Sequence, residues 1–298
     1  PHSLAAMLDR SVPVLFALLW STGWTTARFA SDHADPLTFL ALRHGLTALA
    51  LAGMAAAIGA PWPRGLREMG HGLACGVLLN AIYLGGVWWA IGQGVPAGIS
   101  GLIAALQPIL TAIFAPWLIG EAIARRQWLG IALGFCGIAL VLWPKLAAIE
   151  GAALGAAMLP LAVNAAGMLS ATLGTFYQKR FLPTGHPLTT QTFQFAAACA
   201  VTAPAAWALE PMRIDASWQA AAAMAWAVLG TSIAANTLLL VMIRRGAVAR
   251  TAALLYLMPP LVALQAWLAF GERLVPVQLC GMAVAVLGVA LVTRRARR

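Results

Sequence analysis

Long apolar runs, broken at intervals by charges, glycines and prolines, dominate this chain. Arg10 and Arg28 bracket a first run of about residues 11–30. A second, about 36–59, opens at Asp35-Pro36 and closes at Gly59-Ala60-Pro61-Trp62-Pro63. From Met69 to Gly120 no Asp, Glu, Lys or Arg occurs. That stretch is too long for one membrane helix of about 20 residues and suits two, folded at Gly92-Gln93-Gly94-Val95-Pro96. A fifth run extends from Arg126 to Trp143-Pro144, and five more lie near 152–175, 187–208, 217–243, 248–270 and 275–293. None shows the alternation of a barrel strand, and a helix satisfies every backbone group in lipid. The pattern predicts an all-α membrane protein with ten transmembrane helices.

Composition agrees. The 298 residues are 61% hydrophobic and only 9% charged, with mean hydropathy +0.83, whereas a soluble domain carries about 25% charged residues. That excludes a soluble enzyme, a disordered segment and a basic nucleic-acid-binding domain. The net charge of +10 reads as topology instead. With a cytoplasmic N-terminus, fourteen Lys and Arg fall in cytoplasmic segments, four (Arg28, Lys145, Arg213, Arg273) fall opposite, and Arg43 lies within the second span. The positive-inside rule then places both termini in the cytoplasm, in a multi-pass protein of a bacterial-type cytoplasmic (inner) membrane. The first run is followed by Arg28 rather than a small-residue cleavage site, so it reads as a span and not a leader.

The two halves repeat. Pro36-Leu37-Thr38 returns as Pro187-Leu188-Thr189, and in that register Arg43 falls on Gln194. Gly94 and Pro108 match Gly246 and Pro260, one residue further on. Glu121, Gln127, Gly130 and Gly137 match Glu272, Gln278, Gly281 and Gly288 in the first register again. The expected units are residues 1–147 and 148–298. Five spans in each unit, an odd number, force the second copy to insert upside down. Inverted repeats mark secondary transporters, whose substrate sits near the midplane between the copies.

These residues resemble a known family. Pro36 with Arg43, then Pro108…Gly120-Glu121…Gly130…Gly137, then Pro260…Gly271-Glu272…Gly281…Gly288, are similar to the ten-span exporters of the drug/metabolite transporter superfamily. Those proteins carry two EamA domains, and the likeness runs over essentially the whole chain. Within the superfamily the chain resembles the YddG-type aromatic amino-acid exporters. The resemblance implies export of amino acids or similar metabolites from the cytoplasm without ATP.

Polar residues within spans are costly and usually face the bundle interior. Those that could line a path are Trp20, Thr22 and Trp24 in the first span, Asn80 and Tyr83 in the third, and Gln107 before Pro108. The second half adds Asn164, Met168, Gln194, Asn236, and Tyr256. Uncharged amides and hydroxyls with aromatic walls suit a zwitterion with an apolar side chain. Each residue taken alone also fits interhelical bonding, which contributes about 0.6 kcal/mol on average. Trp62, Trp143 and Trp218 read as interfacial belt.

Arg43 could meet a substrate carboxylate; the structural alternative is snorkelling to an interface or pairing with helix-end carbonyls. His44 could serve as a proton site or simply pack. Pro108 and Pro260 read as mid-span kinks, either hinges or static bends. Gly130-x-x-x-Gly134 and its like allow close helix contact, within one bundle or between two copies. All nine acidic residues lie near span ends or in loops, which favours facilitated over proton-coupled export. The four cysteines stand in separate spans without metal-ligand spacing. No H-E-x-x-H occurs, Gly98-Ile99-Ser100-Gly101-Leu102 breaks G-x-S-x-G, and Gly92-x-Gly94 is a turn between apolar spans. Neither cofactor nor metal is expected, and an intramembrane enzyme is only a remote alternative. The expected partners are the bilayer and a small-molecule amino acid.

Overall fold

The computed structural model of the chain describes residues 2–104, 106–119, 125–147, 151–239, 258–271 and 275–293. These are helical apart from short connections, with no β-strand among them beyond an isolated bridge between Ala34 and Ile214. The helices are α1 (His2–Ser31), α2 (Pro36–Ala57), α3 (Leu66–Gly92), α4 (Ala97–Ile103), α5 (Leu106–Ile119) and α6 (Arg125–Ala147). The second half supplies α7 (Gly151–Phe181), α8 (Pro187–Leu209), α9 (Trp218–Leu239), α10 (Met258–Phe270) and α11 (Pro276–Thr293). Among the described residues, five helices are long and apolar enough to cross a bilayer: α2, α3, α8, α9 and the Met158–Phe181 part of α7. Trp143, Trp207, Trp218 and Leu49 are exposed on the helix surfaces, where a bilayer would cover them.

Local chemistry sets the helix limits. Pro36 and Pro187 each stand at the first helical position, where the missing N–H costs nothing. Gly59 and Gly94, with φ of 63° and 94°, close α2 and α3 in the left-handed region that favours glycine. The fourth span is interrupted: it is α4, a turn at Ala104, and then α5, with Pro108 near the start of α5. Ala104 is the residue whose carbonyl an N–H at position 108 would have met, and it accepts from Gln107 N instead, at 3.1 Å. Pro260 lies in the described part of α10.

The third and eighth spans each contain a π-helical stretch, Val77–Ile82 within α3 and Trp226–Ala235 within α9. Shifted by the later repeat offset of 152 residues, the first stretch falls inside the second. The extra residue lies in α8, which has 23 residues where α2 has 22.

The chain divides into two compact units. One comprises Pro1–Thr25, Val95–Ala165 and Leu238–Arg298; the other comprises Thr26–Gly94 and Ala166–Thr237. Each pools helices from both sequence halves. In the first unit α6 crosses α11 at glycines. A methyl at Gly137 would meet the Gly281 carbonyl at 2.6 Å, and one at Gly288 would meet the Gly130 carbonyl at 2.6 Å. Gly101 likewise admits Val262 of α10. In the second unit α2 and α8 run antiparallel, with Ala48 and Leu51 packed on Phe195. They are tied at both ends. Glu210, just past α8, accepts the backbone N–H groups of Leu37 and Thr38 at 2.9 and 2.8 Å and the Thr38 hydroxyl at 2.8 Å. At the other end the Thr189 hydroxyl donates to the Pro61 carbonyl at 3.0 Å.

Candidate functional site

In the second unit the polar centre is Arg43. It is 4% exposed and lies two turns into α2. Its Nε donates to Ser232 Oγ at 2.9 Å, and its Nη2 donates to Thr231 Oγ1 at 2.9 Å. Both acceptors belong to the π-helical stretch of α9. Thr231 spends its own proton on the Ala227 carbonyl at 2.8 Å, so it can only accept from the guanidinium. Trp88 of α3 closes one face: its ring centroid lies 5.6 Å from the Arg43 Cζ and 5.1 Å from the Phe39 ring, which stacks on it. Phe39 and Arg43, one turn apart on α2, thus present one face to Trp88. In the structure Arg43 is held by side-chain hydroxyls of α9 rather than by helix-end carbonyls.

His44 is fully buried beside Arg43. Its Nδ1 lies 3.3 Å from the Thr202 hydroxyl, which already donates to the Ala198 carbonyl at 2.8 Å. With that proton spent, the contact needs the proton on Nδ1, and Nε2 then presents a lone pair with no donor among the described residues. Gln194, the repeat counterpart of Arg43, is buried on α8 with its Nε2 unpartnered. The backbone of Gln194 packs on Gly76, where no side chain would fit. Asn80 lies buried within the π-helical stretch of α3, and Tyr83 follows it, also buried. Met168 is fully buried. Asn236 is half-buried and turns its amide back to the Ser232 carbonyl at 2.9 Å.

In the first unit, α1 and α10 are joined through Gln265. Its amide nitrogen donates to Ser21 Oγ at 2.8 Å, and its oxygen accepts from Thr25 Oγ1 at 3.1 Å. Ser21 and Thr25, one turn apart, clasp both ends of one amide. Trp24, between them in sequence, is 4% exposed and its indole N–H finds no partner. Thr22 donates to the Leu19 carbonyl at 2.6 Å. Trp20 packs beside Phe16 and Met258 in a small apolar cluster. Asn164 of α7 donates to Ser100 of α4 at 2.7 Å, leaving its buried Oδ1 unpaired. Gln107 sits half-buried in the first turn of α5. Tyr256 lies outside the described residues, as do Glu121 and Glu272.

Sequence reasoning missed Gln265, Thr231 and Glu210. Each is conspicuous only through a partner far along the chain. The i,i+4 spacing of Ser21 and Thr25 was the one local sign of the Gln265 clasp. Among the described residues no group of His, Cys, Asp or Glu could hold a metal ion.

Buried polar groups on long apolar helices mark a multi-pass membrane protein. The chain belongs to the EamA-like transporter family, which matches residues 12–143 and again 158–294. It is therefore a transporter embedded in a lipid bilayer and not an enzyme. It is 26% identical to a probable terminal-alkyne amino-acid exporter of Streptantibioticus cattleyicolor, over 95% of this chain and 92% of that one. It is also 30% identical to YedA, an uncharacterized inner membrane transporter of Escherichia coli, over 43% of this chain. That match spans 42%, less than half, of the length of YedA. A solved crystal structure, 20% identical, aligns with TM-score 0.70 over 95% of this chain and 98% of its own, and so shares the fold.

Proposed function

We propose that the protein exports amino acids, aromatic or neutral ones, without ATP. It would do so by alternating access at a midplane cavity between two inverted five-span repeats, in a ten-span bundle with both termini cytoplasmic. The observation that carries this reading is a set of unanswered hydrogen-bonding atoms. Among the described residues, Trp24 Nε1 and Asn164 Oδ1 in one unit and Gln194 Nε2 in the other are buried without a partner, and all three belong to residues nominated from the sequence as substrate-facing. Buried polar atoms in native proteins are nearly always satisfied. Here the missing partners suit a molecule with its own ammonium, carboxylate and amide-like groups. The full-length likeness to an amino-acid exporter supports the same substrate class. Trp20, Thr22, Asn80, Tyr83, Gln107, Met168, Asn236 and Tyr256 belong to the same proposed path, with bending at Pro108 and Pro260 as part of the cycle. The experiment is efflux from liposomes holding purified protein and preloaded with labelled phenylalanine. Flux above protein-free vesicles is expected. Its absence, with flux of another metabolite class, would remove the amino-acid assignment.

A further inference from the structure

We infer that Arg43 is the anchor for a carboxylate on the transported molecule, and that it makes the protein selective for solutes bearing one. This deepens the transport reading above and rests on it.

A buried cation is expensive unless an anion answers it. Among the described residues the ion pairs are Arg28–Asp32 and His33–Asp215, both at the end of α1 and its neighbours. Arg43 has no carboxylate of its own. Its two acceptors are neutral hydroxyls, which orient the guanidinium without cancelling its charge. A guanidinium has five N–H donors in a fixed fork. Ser232 and Thr231 take Nε and one Nη2 donor, which together form one edge of that fork. The other edge, Nη1 with the second Nη2 hydrogen, makes no hydrogen bond to the described protein. That is the edge which meets both oxygens of a carboxylate in a bidentate pair. Trp88 over one face of the group restricts approach from that face.

The repeat sharpens the assignment. Gln194, in the position equivalent to Arg43, is neutral and keeps an unpartnered N–H. In the register of Gly94 and Gly246, the counterpart of Ser232 is Asn80. One copy thus offers a fixed charge and the other an amide. This suits a monoanionic carboxylate, with no second buried cation among the described residues to hold a dianion.

The test compares labelled phenylalanine with labelled phenylalaninamide, which lacks only the carboxylate charge, using full-length protein in liposomes. Wild type should favour phenylalanine by about tenfold or more, the scale of one charge-assisted pair. Arg43→Gln should bring that ratio towards one by losing phenylalanine flux, and Arg43→Lys should restore only part of it. An unchanged ratio in Arg43→Gln, or an equal loss of both substrates, overturns the anchor. Should Arg43→Gln fail to fold, Thr231→Val serves instead, since loosening one acceptor should lower the ratio; an unaltered ratio there counts against the proposal. Should wild type carry neither compound, the amino-acid reading fails by itself. The anchor is then judged by whether benzoate, and not benzamide, raises the melting temperature of purified wild type and not of Thr231→Val. A rise with neither compound, or with both alike, overturns it.

Discussion

Gly137 and Gly288, 151 residues apart, make the same contact from opposite sides of one helix crossing. A methyl on either would press against a backbone carbonyl of the other helix at 2.6 Å, Gly281 for one and Gly130 for the other. Gly130 and Gly281 are themselves 151 apart. The contact is reciprocal, as a two-fold axis through the α6–α11 crossing would make it. The crossing thus pairs residues spaced 151 apart in the sequence, inside one compact unit.

Gly137→Ala and Gly288→Ala should be destabilising to a similar degree, about 1–3 kcal/mol each, since backbone cannot yield as a side chain can. Melting of the purified protein checks this. A pair of unequal shifts would mean that the two sides of the crossing are not equivalent. Gly53→Ala, where nothing lies within 4 Å of the added methyl, should leave stability unchanged or slightly raised.

Glu210→Ala should cost about 1–2 kcal/mol, because the side chain answers two N–H groups at the start of α2 from the far end of α8. Thermal unfolding reads the loss. A melting temperature equal to wild type would show that other groups satisfy those donors.

Trp24→Phe should preserve folding and slow transport. The indole N–H has no protein partner to lose, and removing an unsatisfied donor relieves a cost rather than creating one. Equal melting with reduced phenylalanine efflux is the expected pair of results. Undiminished efflux would take Trp24 off the path.

Phenylalanine efflux should proceed at the same rate with and without a pH gradient. Among the residues whose side chains are described, Asp32, Asp35, Glu68, Glu210 and Asp215 all lie at helix ends or in connections, so none of these offers a mid-span carboxylate to trade a proton. A rate that follows the gradient would point to His44, whose Nε2 lone pair is buried and unanswered.

Much of this was legible in the residue pattern, and the losses have physical causes. Helix limits at Pro36, Gly59, Gly94 and Pro187 could be read because proline and left-handed glycine act locally. The burial of Asn80, Asn164 and Gln194 followed from their polarity in apolar runs. What resisted reading was whatever depends on a distant partner: Gln265 between two residues of α1, Glu210 at the start of α2, Thr231 and Ser232 on Arg43. The π-helical stretches left no trace in hydrophobic periodicity, since widening a turn changes which backbone carbonyl is used and not which residues are apolar.

The ties at both ends of the α2–α8 pair limit how the molecule can move. A slide of one helix along the other by a full turn, about 5.4 Å, would pull Glu210 from the start of α2 and Thr189 from Pro61 at once. Lengthwise ratcheting of this pair therefore costs both ties at once, whereas moving the two helices together as a single strut keeps them.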